Sequence, residues 1–130
     1  MRILVVDDES DVTLVISEAL HNRGHEVECA SSGHDAIARA AEFRPDAALV
    51  DIGLPDMDGV TLAELLRGVV AGKRLRLVAF SGYGDPSLRD AVQRELFDDY
   101  LVKPSSLQAI EDALIAPTAP AAARAAQQPR

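Results

Sequence analysis

Apolar residues along this chain fall into two alternating rhythms. Short unbroken runs, Ile3 to Val6, Ala47 to Val50 and Leu75 to Phe80, read as strands buried on both faces. Two weaker runs join them: the more polar Glu26 to Ala30, expected at an edge, and the short Tyr100 to Val102. After each run, apolar residues recur at helical spacing. Ser10 is placed to cap a first helix, with Val12, Val15, Ile16, Ala19 and Leu20 inward and Gly24 at its stop. Ser32, with Asp35 three residues on, caps a second, whose inward residues are Ala36, Ile37 and Ala40 and which ends before Pro45. Asp58 opens a third, with Leu62, Leu65, Leu66, Val69 and Val70 on its buried face. Asp85-Pro86 opens a fourth with only a thin stripe, Leu88, Ala91 and Val92. Ser105 and Gln108 form a capping box for a fifth, which carries Leu107, Ile110 and Leu114. Five strand-helix units of this kind require right-handed parallel crossovers. The fold class expected is therefore α/β, a five-stranded parallel sheet, doubly wound as (βα)5.

From Pro117 the composition changes. Residues 117–130 hold six Ala and three Pro and no Val, Ile, Leu or Phe. Such a stretch buries too little apolar surface to offset its ordering entropy, so a domain over 1–116 and a disordered tail over 117–130 are expected. At 130 residues and 48% hydrophobic, the chain suits a single domain with a sizeable core. The net charge is −8. With Arg124 and Arg130 in the tail, the domain holds 11 basic against 21 acidic residues. That balance argues against a nucleic-acid backbone as partner, because phosphate contacts need clustered Lys and Arg. The single cysteine, Cys29, falls in a strand and reads as a small core residue in a reducing cytoplasm. The N-terminal apolar run is too short for a signal peptide, and no run approaches the roughly 20 residues of a membrane span.

Parallel strands share one carboxyl edge, which is where open α/β sheets bind ligands. Asp7 and Asp8 end the first strand, Asp51 the third, Ser81 the fourth and Lys103 the fifth. Gly53, Pro55 and Gly59 break regular structure after Asp51 and leave a loop. Three carboxylates drawn together repel and raise one another's pKa. A hard divalent cation relieves this, and Mg²⁺ needs only one or two carboxylates plus waters and phosphate oxygens. A lysine and a hydroxyl alongside can hold the remaining oxygens of a phosphoryl group. Singly, each residue has a plainer reading as a turn former, a helix-dipole partner or an exposed lysine. It is their joint arrival at one edge that points to a site. His21, His25 and His34 fall at helix or strand ends, are expected to face solvent, and are given no metal or catalytic role.

Ile3-Leu4-Val5-Val6-Asp7-Asp8-Glu9, Asp51 with Leu54-Pro55-Asp56-Met57-Asp58-Gly59, Phe80-Ser81-Gly82 and Asp99-Tyr100-Leu101-Val102-Lys103-Pro104 occur in that order. Over residues 1 to about 115 the chain resembles the receiver domain of two-component response regulators. The resemblance implies a flavodoxin-like strand order 2-1-3-4-5. It implies that Asp51 accepts a phosphoryl group from a histidine kinase or histidine phosphotransfer protein. Asp7, Asp8, Asp51 and the Gly53 carbonyl would hold Mg²⁺. Ser81 and Lys103 would contact the phosphoryl oxygens, with Tyr100 as the aromatic switch residue and a cis Lys103-Pro104 bond. A downstream protein would dock on the surface of the fourth helix, fifth strand and fifth helix. Gly53 and Tyr83 occupy positions that tune dephosphorylation in the family. One departure stands out: Glu95-Leu96 replace the Ala-Gly that often precedes the fifth strand.

The function expected is a phosphorylation-switched signalling module with no output domain, not a turnover enzyme. The alternatives are the C-terminal receiver of a hybrid histidine kinase and, from other classes, a Mg²⁺-dependent aspartyl phosphatase or a flavodoxin-like cofactor binder. The phosphatase would need a general acid two residues after the nucleophile, where Gly53 stands. The cofactor binder would need Gly, Ser or Thr to cradle phosphate after the first strand, where Asp7, Asp8 and Glu9 repel it.

Overall fold

The computed structural model describes residues 1–82 and 96–116. Its elements run β1 (Arg2–Val6), α1 (Ser10–Asn22), β2 (Glu26–Ala30), α2 (Gly33–Phe43), β3 (Ala47–Asp51), α3 (Gly59–Val69), β4 (Arg76–Ser81), β5 (Asp99–Val102) and α4 (Leu107–Ile115). The last of these is the fifth helix expected from the sequence. The fourth expected helix, Tyr83, Glu95 and the tail over 117–130 lie outside the described residues. All strand pairs are parallel, in the order β2-β1-β3-β4-β5. The order expected from the resemblance is therefore observed, and β2 lies at an edge as its polarity foretold.

Strand periodicity divides the core in two. Leu4, Val6, Ala48, Val50, Leu77 and Ala79 face α2 and α3, where Ala36, Ala40, Leu62, Ala63 and Leu66 cover them. Ile3, Val5, Leu49, Val78 and Phe80 face α1 and α4, against Ile16, Leu20, Ile110 and Leu114. A strand buried on both faces has no polar side to display, which is why these runs are unbroken.

Several sequence expectations need correction. Val15 and Leu65 are exposed, at 66% and 43%. Each stands one residue before a buried position, Ile16 or Leu66, and so is turned about 100° away from it. Thr13 and Ala63 fill the vacated places, the Thr13 hydroxyl being satisfied by donating to the Ser10 carbonyl at 2.9 Å. Ser10 is the first residue of α1 and not its cap; Glu9 takes that place without a side-chain bond. For α4 the cap is Ser106, which accepts from the Ala109 amide, while Ser105 donates to the Val102 carbonyl at 2.7 Å. Ser32 and Asp58 cap α2 and α3 as expected. His25 does not face solvent: its side chain is 14% exposed and contacts Glu111 at 3.0 Å. Glu111 also pairs with Arg23 at 2.6 Å, so the end of α1 is stapled to α4.

Candidate functional site

The site begins where the buried strands end. Asp7 follows β1; its amide extends the sheet by donating to the Ala30 carbonyl at 3.1 Å, and its side chain is buried. Its Oδ1 accepts from the Glu9 amide at 2.9 Å. Asp51 closes β3, 6% exposed, and its Oδ1 accepts from the Gly53 amide at 2.9 Å. Asp8 beside them is exposed. One carboxylate oxygen from each of Asp7, Asp8 and Asp51 falls within 4.8 Å of the others.

Lys103 reaches into this group from the end of β5. Its amide donates to the Ser81 carbonyl at 2.7 Å, fixing where the side chain starts. Its Nζ lies 2.8 Å from Asp7 Oδ2 and 3.3 Å from Asp51 Oδ2. Glu9, which the sequence offered only as part of the strand terminator, is 3.9 Å from the same ammonium. The Lys103-Pro104 bond is cis. Ser81, at the end of β4, is fully buried, and among the described residues its hydroxyl has a long 3.4 Å contact with the Gly82 carbonyl. Tyr100 on β5 is 41% exposed and points outward.

Burial pushes the Asp51 carboxyl above the usual aspartate range, and the Asp7 charge adds to this; the Gly53 amide and Lys103 oppose it. Burial would lower the Lys103 ammonium, but its contact with Asp7 and the attraction of Asp51 and Asp7 outweigh that and raise it. The lysine therefore remains charged at neutral pH. One ammonium faces three carboxylates, so the cluster keeps an excess of negative charge. Asp7 Oδ2 is buried, and the Lys103 ammonium at 2.8 Å is its ionic partner. An all-oxygen group that keeps excess negative charge fits a hard cation such as Mg²⁺.

The structure thus brings Asp7, Asp8, Asp51, Ser81 and Lys103 to one edge, with Gly53 bonded to Asp51. Two features escaped the sequence reading. An apolar groove of about 350 Å³ runs beside Lys103, lined by Val12, Val15, Phe80, Pro104 and Ile110, so the exposed Val15 borders the site. Arg67 donates through Nη2 and Nε to the Leu96 carbonyl, at 2.7 and 3.3 Å. A guanidinium thus satisfies the backbone just before β5, where the family often has glycine. No sequence signal ties residue 67 to residue 96.

The family model described as the response regulator receiver domain matches residues 3–115. The transcriptional regulatory protein PrrA of Mycobacterium leprae is 39% identical over 103 residues, covering 79% of this chain and 43% of that protein. The response regulator MprA of Mycobacterium tuberculosis is 36% identical over 108 residues, 83% of this chain and 46% of its own length. The chain thus spans less than half of the curated relatives it matches. Among solved structures, a CheY-like receiver domain protein from Methanospirillum hungatei superposes with a TM-score of 0.76 at 28% identity, over 85% of this chain and 87% of that one.

Proposed function

Because this chain belongs to the response regulator receiver domain family, we propose that Asp51 is its phosphoacceptor and that a histidine kinase or histidine phosphotransfer protein is the donor. The observation that carries this reading is the cluster itself. Three carboxylates converge within 4.8 Å, and Lys103 Nζ lies within 3.3 Å of two of them. In the transfer, an Asp51 carboxylate oxygen attacks the phosphorus of a donor phosphohistidine. The P–O bond forms as the P–N bond breaks, and the departing imidazole takes up a proton.

Asp7, Asp8, Asp51 and the Gly53 carbonyl would hold Mg²⁺, which when bound supplies positive charge to the phosphoryl oxygens. Lys103 supplies an ammonium to the same oxygens. The Ser81 hydroxyl, whose bond to the Gly82 carbonyl is long, supplies a donor. A phosphoryl group brings roughly two negative charges; Lys103 and Ser81 answer them, and Tyr100 turns inward as Ser81 moves. The readout surface in this reading comprises the expected fourth helix, β5 and α4, where a downstream protein docks. Gly53 and Tyr83 set how long the phosphoryl group survives. The domain acts as a switch and not as a turnover enzyme, and it does so in the cytoplasm. No helix among the described residues is long and apolar enough to cross a membrane. The receiver itself does not contact DNA, since its acidic excess repels phosphate; DNA contact, if the complete protein makes any, belongs to another domain.

The test is incubation with a small-molecule phosphodonor and Mg²⁺, read by intact mass. The expected result is one added phosphate on the wild type and none on Asp51→Asn. An Asp51→Asn protein that gains the mass at the wild-type rate would refute the assignment.

A further inference from the structure

Side-chain carboxylates tie the loop from Gly53 to Asp58 by hydrogen bonds at three points. Gly53 donates to Asp51 at its start, and Asp58 caps α3 at its end through the Thr61 amide at 2.8 Å. The third anchor, between them, is not local. Asp56 Oδ1 accepts from the Gly33 amide at 2.9 Å, and its Oδ2 accepts from the His34 amide at 3.1 Å. These are free amides of the first turn of α2, so a carboxylate from another segment serves as a second cap beside Ser32. The His34 ring adds a contact at 2.6 Å through Nδ1. Met57 lies over Gly33 so closely that a Cβ there would fall 2.5 Å from its Cγ. Glycine at position 33 therefore makes the seat on which the loop rests. The two amides, Gly33 first, hold the Asp56 carboxyl down at about 2, so it stays ionised throughout the neutral range.

We infer that Asp56 is a positioning residue for the cation site: its grip on α2 fixes the loop that presents the Gly53 carbonyl beside Asp7, Asp8 and Asp51. The inference rests on the cation reading proposed above. Without the third anchor, the chain between Gly53 and Asp58 keeps the hydrogen bonds at its ends and the packing of Leu54 and Met57, but loses its polar tie to α2. The Gly53 carbonyl then samples directions away from the carboxylates, and ordering it falls to the cation.

Mg²⁺ titration of the metal-free protein, followed by NMR, tests this. Asp56→Ala is expected to raise the Kd roughly tenfold, the low end of the loss when a group supporting a metal ligand is removed. Asp56→Asn keeps one acceptor oxygen and is expected to fall between Asp56→Ala and the wild type. Ala40→Gly, in the middle of α2, serves as the destabilised control. It should lower Tm while leaving the Kd unchanged, because it weakens the helix without touching the seat. Amide exchange in the absence of Mg²⁺ should speed up at Gly53 and Leu54 in Asp56→Ala alone. If the wild type binds Mg²⁺ and Asp56→Ala matches its Kd, the positioning role is overturned and the cation reading stands. If Ala40→Gly raises the Kd as much as Asp56→Ala, the effect is one of stability, and the role is likewise overturned. If the wild type binds no Mg²⁺ at millimolar concentration, the cation reading itself falls and takes this role with it.

Discussion

Asp51 is held in a state that folding alone does not favour. Burial first, and then the neighbouring Asp7 charge, raise its carboxyl above the value it has in an unfolded chain. A carboxylate raised in this way binds its proton more tightly when folded. Stability therefore falls as pH rises through the aspartate range, and the cost persists at neutral pH. Asp51→Asn removes that cost while keeping the shape. We expect the variant to melt above the wild type at pH 7 without Mg²⁺, and the gap to narrow as pH is lowered towards 4. Thermal denaturation across pH would check this; a variant melting below the wild type at neutral pH would contradict the electrostatic account. Ser81 and Lys103 were legible as site residues because each ends a strand. Asp56 was legible only as one residue of a motif, since its partners lie 22 and 23 positions away.

At the scale of elements, the helices show where spacing misleads. Leu65 and Leu66 adjoin in sequence, yet Leu65 is 43% exposed and Leu66 fully buried. Leu66→Ala should cost about 2–5 kcal/mol through the cavity it leaves. Leu65→Ala should cost less than about 1 kcal/mol, Ala being a strong helix former at a half-exposed site. Equal losses in urea denaturation would put both residues in the core and refute the placement of α3. The serine pair before α4 makes the same point. Ser106 meets a free helix amide and Ser105 does not. Ser106→Ala is accordingly expected to cost about 1 kcal/mol, the usual loss for a removed cap, with Ser105→Ala costing less.

For the whole molecule, the sheet's carboxyl edge concentrates charge that the rest of the fold must hold in place. Lys103 offsets part of it. A cation that binds only the folded state stabilises it by mass action, by about 1.4 kcal/mol at ten times its Kd. For a domain of this size that is a rise of several degrees in Tm. We expect Mg²⁺ to produce this rise in the wild type and not in Asp8→Ala. Asp8 is the exposed member of the cluster, so its loss leaves no buried group unpaired. A rise of equal size in Asp8→Ala would place the cation elsewhere.

Local pattern alone determined the alternation of strands and helices, and with it the parallel sheet and the shared edge at which Asp7, Asp8, Asp51, Ser81 and Lys103 meet. The reason is that strand and helix periods are properties of neighbouring residues, and parallel geometry places every strand end on one side. Strand neighbours are a different matter: periodicity says nothing of which strand lies beside which, and only resemblance to a family supplied the order. The tertiary structure alone decided that Val15 lines a groove beside Lys103, that Arg67 serves the backbone before β5, that His25 and Arg23 staple α1 to α4, and that Asp56 seats its loop on α2. Each of these joins segments far apart in the chain. Contacts of that kind depend on how helices rotate and settle on the sheet, which no local spacing specifies.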